Sequence, residues 1–164
     1  MRGESGKKIF LDRDGVINKK RPNDYVKNWA EFEFLPGVIE ALQLLKKRGY
    51  AIYVISNQAG VGRGLMNQAD LAKIETKAQE FLSQHGVTVD GWYYCLHTPE
   101  FGCECRKPKP GLLLQAAREH QFRLDEAIFI GDSESDVLAG QSAGCATILI
   151  QNSETLLDAV QKII

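Results

Sequence analysis

The sequence has no charge-free apolar run approaching the ~18 residues that cross a bilayer, so no membrane-spanning helix is expected. The charges near its start are followed by no apolar segment, so the first residues do not read as a secretory leader. It also has almost no excess charge: 20 Lys and Arg face 21 Asp and Glu, a net of −1. So flat a balance supplies no long-range field to gather a polyanion. Nucleic acid is therefore not an expected partner, and any anion site must be local. Internal repeats, low-complexity tracts and linkers are missing too. These absences describe a cytoplasmic protein without membrane or nucleic-acid partners, with a monomer as the expected state. What is present is an ordinary globular composition, 44% hydrophobic and 25% charged over 164 residues. Folding a chain of this size removes roughly 69% of its unfolded surface from water. One domain over residues 1–164, with a core that needs no covalent staples, is the expectation.

Short runs of β-branched and aromatic residues at 8–12, 50–56, 91–95, 127–132 and 146–150 alternate with longer segments of helical period. Val38, Ala41, Leu42 and Leu45 form one apolar stripe. It is opened by Pro36 at a first helical position and closed by Gly49 after Lys46, Lys47 and Arg48. Leu71, Ile74, Ala78, Phe81 and Leu82 form a second, closed by Gly86. Further helices are expected over 110–120, 134–143 and 153–162. The alternation predicts an α/β fold, a Rossmann-like doubly wound parallel sheet covered on both faces. Two polar stretches, 13–35 and 96–109, break the rhythm. Both leave the C-terminal edge of the sheet, where ligands bind in such folds.

Carboxylates gather at that edge. The first run ends in Asp12-Arg13-Asp14-Gly15, and residues i and i+2 of an extended chain share a side. Two such carboxylates divide the labour of hydrolysis, one attacking or binding a metal and the other shuttling a proton. The fourth run ends in Gly131-Asp132, with Asp136 four residues on. If the first and fourth strands are neighbours, Asp12, Asp14 and Asp132 converge and require a cation; hard oxygen ligands suit Mg²⁺. Taken alone, Asp-x-Asp-Gly is equally an acidic turn, and Ser133-x-x-Asp136 is a capping box. Ser56 at the end of the second run and Lys107 in the second polar stretch would cradle and neutralise a phosphoryl group. By itself Lys107 is simply a surface lysine. The glycine-rich run 57–64 offers backbone amides to an anion, with Asn57, Gln58 and Arg63 as candidate substrate contacts.

Cys95-x-His97 and Cys103-x-Cys105 are two tight ligand pairs separated by five residues. Three thiolates and an imidazole make a closed tetrahedral Zn²⁺ set with no vacant position, which is a structural site. The alternatives are bystander thiols or a disulfide. Arg106 and Lys107 follow immediately, so a metal here would pin these cations toward the carboxylates. Arg106 offers a planar fork to a second phosphate. Lys20 and Arg21, within the basic run 19–21, add to the candidate substrate contacts. His85 and His120 receive no role.

Asp12-x-Asp14-Gly15, Ser56, Lys107 and Gly131-Asp132-x-x-x-Asp136, in this order over nearly the whole chain, resemble the haloacid dehalogenase superfamily of phosphohydrolases. The resemblance implies Asp12 as nucleophile forming an aspartyl-phosphate, and Asp14 as acid and then base. It implies Mg²⁺ on Asp12, the Asp14 main-chain carbonyl and Asp132, with Asp136 supporting and with Ser56 and Lys107 on the phosphoryl oxygens. The polar stretches leave no room for a large cap domain. Segments 11–18, 25–26, 34–38, 56–64 and 105–111 further resemble the D-glycero-D-manno-heptose 1,7-bisphosphate phosphatase family of lipopolysaccharide-precursor synthesis. That likeness implies loss of the C7 phosphate from a small sugar phosphate, with Arg106 on the phosphate that stays. The histidinol-phosphate phosphatases are near relatives that share the zinc loop, and the short gap between His97 and Cys103 is like theirs. Residues 61–64 and 108–111 are like the heptose enzymes. A zinc-stabilised binding module that has lost catalysis is the alternative of another class.

Overall fold

Five strands, β1 (Lys8–Leu11), β2 (Ala51–Asn57), β3 (Gly91–Cys95), β4 (Ala127–Gly131) and β5 (Ala146–Leu149), pair in the order β3-β2-β1-β4-β5, every pair parallel. The structure is a computed structural model and describes residues 6–164; the leader reading at the chain start falls largely on residues 1–5, outside that range. Helices α1 (Val38–Lys47), α2 (Ala59–Gly62), α3 (Gln68–Gln84), α4 (Gly111–Glu119), α5 (Glu134–Ala143) and α6 (Leu156–Gln161) fill the connections. The expected doubly wound α/β sheet is what forms. Among the described residues no helix is long and apolar enough to cross a membrane.

Strand alternation sorts the core into two layers. Ile9, Leu11, Ile52, Val54 and Ile130 face α1, α3 and α6 through Val38, Leu42, Leu45, Leu71, Ile74, Leu82, Leu156 and Val160. Phe10, Tyr53, Ile55 and Phe129 face α4 and α5 through Leu112, Leu113, Ala116 and Ala139. The chain winds outward from β1 to β3 and then returns to β4 on the other side of β1. The order reverses between β1 and β4, and at such a point the loops diverge and open a crevice beyond the C-terminal strand ends.

Two sequence readings are corrected. Pro36 does not open α1. Val38 N–H bonds Leu35 C=O at 3.3 Å across Pro36-Gly37, and Gly37 takes φ 79°, the left-handed value that a type II turn requires at its third position. The helix begins only after that turn. The stretch 13–35 is less polar in effect than in composition. Val16, Ile17, Val26 and Phe32 are buried, Trp29 stacks on Phe32 at 5.1 Å, and Phe34 stacks on Phe81 of α3 at 5.0 Å. This segment is anchored on the α3 layer rather than lying loose over the sheet edge.

Candidate active site

Asp12 directly follows β1, and its N–H bonds Ile130 C=O of β4 at 3.1 Å, so the two strand exits are tied together. Its Oδ1 accepts from Arg13 N–H at 2.8 Å and from Lys107 Nζ at 2.9 Å. Lys107 is 4% exposed, and its Nζ also lies 3.1 Å from Ile55 C=O and 2.6 Å from Asp136 Oδ1. The other oxygen of Asp136 accepts from Asp132 N–H, Ser133 N–H and the Ser133 hydroxyl at 2.9–3.2 Å. The capping box read from Ser133 and Asp136 therefore exists, and the same carboxylate also holds the buried lysine. Gly15, at φ 92°, lies so near β4's exit that a Cβ there would collide with the Asp132 carboxylate.

Three carboxylates share this point: oxygens of Asp12, Asp132 and Asp136 all lie within 4.8 Å of one another. Burial pushes the Asp12 carboxyl up to about 8 against the pull of Lys107, with Asp136 and Asp132 adding to the rise. Burial alone would depress the Lys107 ammonium, yet the facing Asp12 and Asp136 hold it above its ordinary value. Among the described residues, Asp132 Oδ1 is buried without a hydrogen-bond partner. An orphaned carboxylate oxygen among further acidic oxygens is a donor set that fits a hard divalent cation such as Mg²⁺.

Asp14 is turned differently. Its Oδ1 accepts from Asn18 Nδ2 at 2.8 Å and Arg13 Nη2 at 3.1 Å, and its Oδ2 from Gln58 Nε2 at 2.7 Å. Burial raises its pKa, but the Arg13 guanidinium and these hydrogen bonds outweigh it and hold the carboxyl below the usual range.

A cavity of about 260 Å³ opens over the carboxylates, lined by Asp12, Asp14, Lys20, Asn57, Arg106, Lys107, Ser133 and Ser135. Lys20 Nζ stands 3.5 Å from Asp132 Oδ2. Asn57 clamps the main chain of Lys107, accepting its N–H at 3.1 Å and donating to its C=O at 3.3 Å. Six residues expected at this site do not line the cavity: Asp132 and Asp136, already placed against Lys20 and Lys107, and four others. Ser56 and Gln58 are each 1% exposed and bonded to one another. Arg21 is spent on Asp24 and Glu31, and Arg63 on the Tyr25 hydroxyl at 3.0 Å. Conversely, the sequence reading gave no role to Arg13, Asn18 or Ser135. Nothing in the local pattern marks Asn18, which bonds Asp14 within the turn where the N–H groups of Val16, Ile17 and Asn18 all point to Arg13 C=O. Ser135 had a legible signal, its place one residue before Asp136.

Cys95, His97, Cys103 and Cys105 meet as expected. Their Sγ and Nδ1 atoms stand 3.2–3.7 Å apart along the five contacts Cys95–His97, Cys95–Cys103, His97–Cys105, Cys95–Cys105 and Cys103–Cys105. A zinc–sulfur bond of about 2.3 Å in a tetrahedron gives S···S edges of about 3.8 Å, whereas disulfide sulfurs sit about 2 Å apart. The S···S contacts of 3.2–3.5 Å are a little shorter than those edges and far too long for disulfides, so the four residues could hold a metal ion, and all four cysteines of the chain are free thiols. Phe101, 68% exposed, stacks on the His97 ring at 4.3 Å.

Residues 4–144 match the family described as haloacid dehalogenase-like hydrolase, and the chain belongs to that family. It is 45% identical over 151 residues to the D-glycero-beta-D-manno-heptose-1,7-bisphosphate 7-phosphatase of Helicobacter pylori (strain ATCC 700392 / 26695), covering 90% of this chain and 86% of that protein. It is 43% identical over 148 residues to the D-glycero-alpha-D-manno-heptose-1,7-bisphosphate 7-phosphatase of Mycobacterium bovis (strain ATCC BAA-935 / AF2122/97), covering 87% of this chain and 78% of that one. The crystal structure of D,D-heptose 1,7-bisphosphate phosphatase from B. bronchiseptica, complexed with magnesium and phosphate, superimposes with a TM-score of 0.90 at 34% identity. It covers 96% of this chain and 97% of that chain.

Proposed function

We propose that this chain is a Mg²⁺-dependent phosphatase that removes the C7 phosphate of D-glycero-D-manno-heptose 1,7-bisphosphate through an aspartyl-phosphate. The observation that carries the chemistry is the buried Lys107 bridging Asp12 and Asp136 beside the orphaned Asp132 oxygen. The substrate follows from the names that its relatives share.

An oxygen of Asp12 attacks phosphorus, the bond from phosphorus to the sugar oxygen breaks, and Asp14 gives that oxygen its proton. Water then attacks the phosphorus of the aspartyl-phosphate and passes a proton to Asp14, while the bond to Asp12 breaks and frees inorganic phosphate. Among the described residues Asp12 Oδ2 accepts no hydrogen bond, since both of its donors sit on Oδ1. Lys107 neutralises charge on the transferring group from a site where water cannot screen it. Asp12, Asp132 and the Asp14 carbonyl would hold Mg²⁺, with Asp136 steadying both Lys107 and the 132–133 turn. That ion would supply electrostatic stabilisation of the phosphoryl oxygens. Lys20 and Arg106 flank the mouth and suit the second phosphate. Zn²⁺ on Cys95, His97, Cys103 and Cys105 would be structural, holding the segment that carries Arg106 and Lys107.

The test is kcat/KM with Mg²⁺ for heptose 1,7-bisphosphate and for histidinol phosphate on one preparation, with Asp12→Asn as the blank. A heptose preference of tenfold or more, about 1.4 kcal/mol, is expected. A reversed preference overturns the substrate, and turnover that survives in Asp12→Asn overturns the mechanism.

A further inference from the structure

Gln58, the residue after β2, spends both hydrogens of its amide nitrogen inside the protein. Nε2 donates to Asp14 Oδ2 at 2.7 Å and to Ser56 Oγ at 2.8 Å. An amide NH₂ has two donors and no acceptor, so each partner is obliged to accept. At Ser56 this fixes the hydroxyl's role. With its oxygen accepting from the amide, its own hydrogen is turned away from Gln58 and remains available as a donor. At Asp14 the effect falls on one oxygen. Oδ1 accepts from both Asn18 and Arg13, which fills its two in-plane lone pairs, whereas among the described residues Oδ2 accepts from Gln58 alone. One lone pair of Oδ2 is left.

We infer that Gln58 is a positioning residue for phosphoryl transfer: its amide makes Oδ2 the proton-carrying oxygen of Asp14 and Ser56 a donor to the phosphoryl group. The inference rests on the phosphatase reading and adds to it a residue that touches neither substrate nor metal. In the first half, the proton on Asp14 Oδ2 moves to the leaving oxygen as the bond from that oxygen to phosphorus breaks. In the second half, the water that attacks phosphorus returns a proton to the same Oδ2 as the bond to Asp12 breaks. Without the amide, Asp14 loses the bond that aims Oδ2, and the Ser56 hydroxyl is free to satisfy Asp14 instead of the phosphate.

Gln58→Met keeps the length and bulk of the side chain and removes both donors; Gln58→Glu keeps its shape and replaces the donor by an acceptor. The assay is pre-steady-state release of nitrophenolate from p-nitrophenyl phosphate with Mg²⁺, alongside melting temperature. Nitrophenolate leaves without a proton, so formation of the aspartyl-phosphate is spared while its hydrolysis, which needs Asp14 as base, is slowed. For both variants the expected result is a fall in kcat of about 10²-fold from the misdirected base. KM should fall as well but by less, because loss of the Ser56 donor also slows formation of the aspartyl-phosphate, so that kcat/KM drops about tenfold while a burst approaching one nitrophenolate per site remains. A raised KM at unchanged kcat with no burst would show a substrate contact and overturn the inference. A lowered melting temperature with loss of activity and no burst in either variant would show a packing residue and overturn it equally. Wild-type turnover that does not depend on Asp12 would instead overturn the phosphatase reading, and this inference with it.

Discussion

Asp136 has donors on both sides, and replacing it by Asn shows what that arrangement is worth. One oxygen faces the Lys107 ammonium at 2.6 Å, and the other faces Asp132 N–H, Ser133 N–H and the Ser133 hydroxyl. An amide presents one acceptor edge and one donor edge, so Asp136→Asn must leave one side facing hydrogen against hydrogen. Keeping its oxygen toward the three donors is the better choice, and it gives up the bond to Lys107. Breaking a buried pair from one side costs about 3–5 kcal/mol. Lys107 retains Asp12 and the Ile55 carbonyl, however, and loss of one negative charge makes Asp12 easier to ionise, which strengthens that remaining pair. The expected net loss is therefore smaller, about 2–3 kcal/mol, the scale of a hydrogen bond to a charged group plus residual strain. Denaturant unfolding at pH 7 without added Mg²⁺ measures it as a drop in midpoint at unchanged slope. A loss below about 1 kcal/mol would mean that Lys107 and Asp136 interact no more strongly than a surface pair, and would refute a buried lysine held by two carboxylates.

Two further expectations concern the metals. The pKa of Asp12 in the metal-free fold is raised to about 8, so at neutral pH it keeps a proton that a cation must displace. Its stabilising contribution is full below the unfolded value near 3.8 and is lost as pH rises toward 8. Titration of Mg²⁺ at pH 7 in buffers of different ionisation enthalpy should therefore show release of up to one proton, shrinking as pH passes above 8; no buffer dependence would refute the shift. Cys103→Ser should lower bound zinc by mass spectrometry and reduce kcat by roughly tenfold through displacement of Lys107, the Asn57 clamp preserving the remainder. An unchanged zinc content would remove the ligand assignment.

The meeting of Asp12 with Asp132 was legible because strand and helix alternate, and a doubly wound sheet places β1 next to β4. Cys95, His97, Cys103 and Cys105 were legible because ligand spacing along a short loop is itself the geometry. The surroundings of Asp14 were not. Arg13 and Asn18 reach it through the tight turn of residues 13–18 and Gln58 from the end of β2, and neither a period of 2 nor one of 3.6 marks such contacts. Charge was legible in amount but not in availability. Arg21 and Arg63 read like Lys20 and Arg106 in the sequence, yet the first two are engaged by Asp24, Glu31 and Tyr25 away from the cavity.

The missing side chain at Gly15 sets how such a site can vary. The clearance between the turn after β1 and the carboxylate after β4 is about that of one hydrogen atom. A side chain there would push aside the Asp132 carboxylate and would itself be strained at φ 92°, so the turn after β1 and the acid after β4 cannot vary independently at this point. The mouth, where Lys20, Arg106 and Ser135 stand, is built from side chains of three separate segments. Substitutions can accumulate at the rim and redirect the enzyme to another phosphate ester while the chemistry at the floor is inherited unchanged.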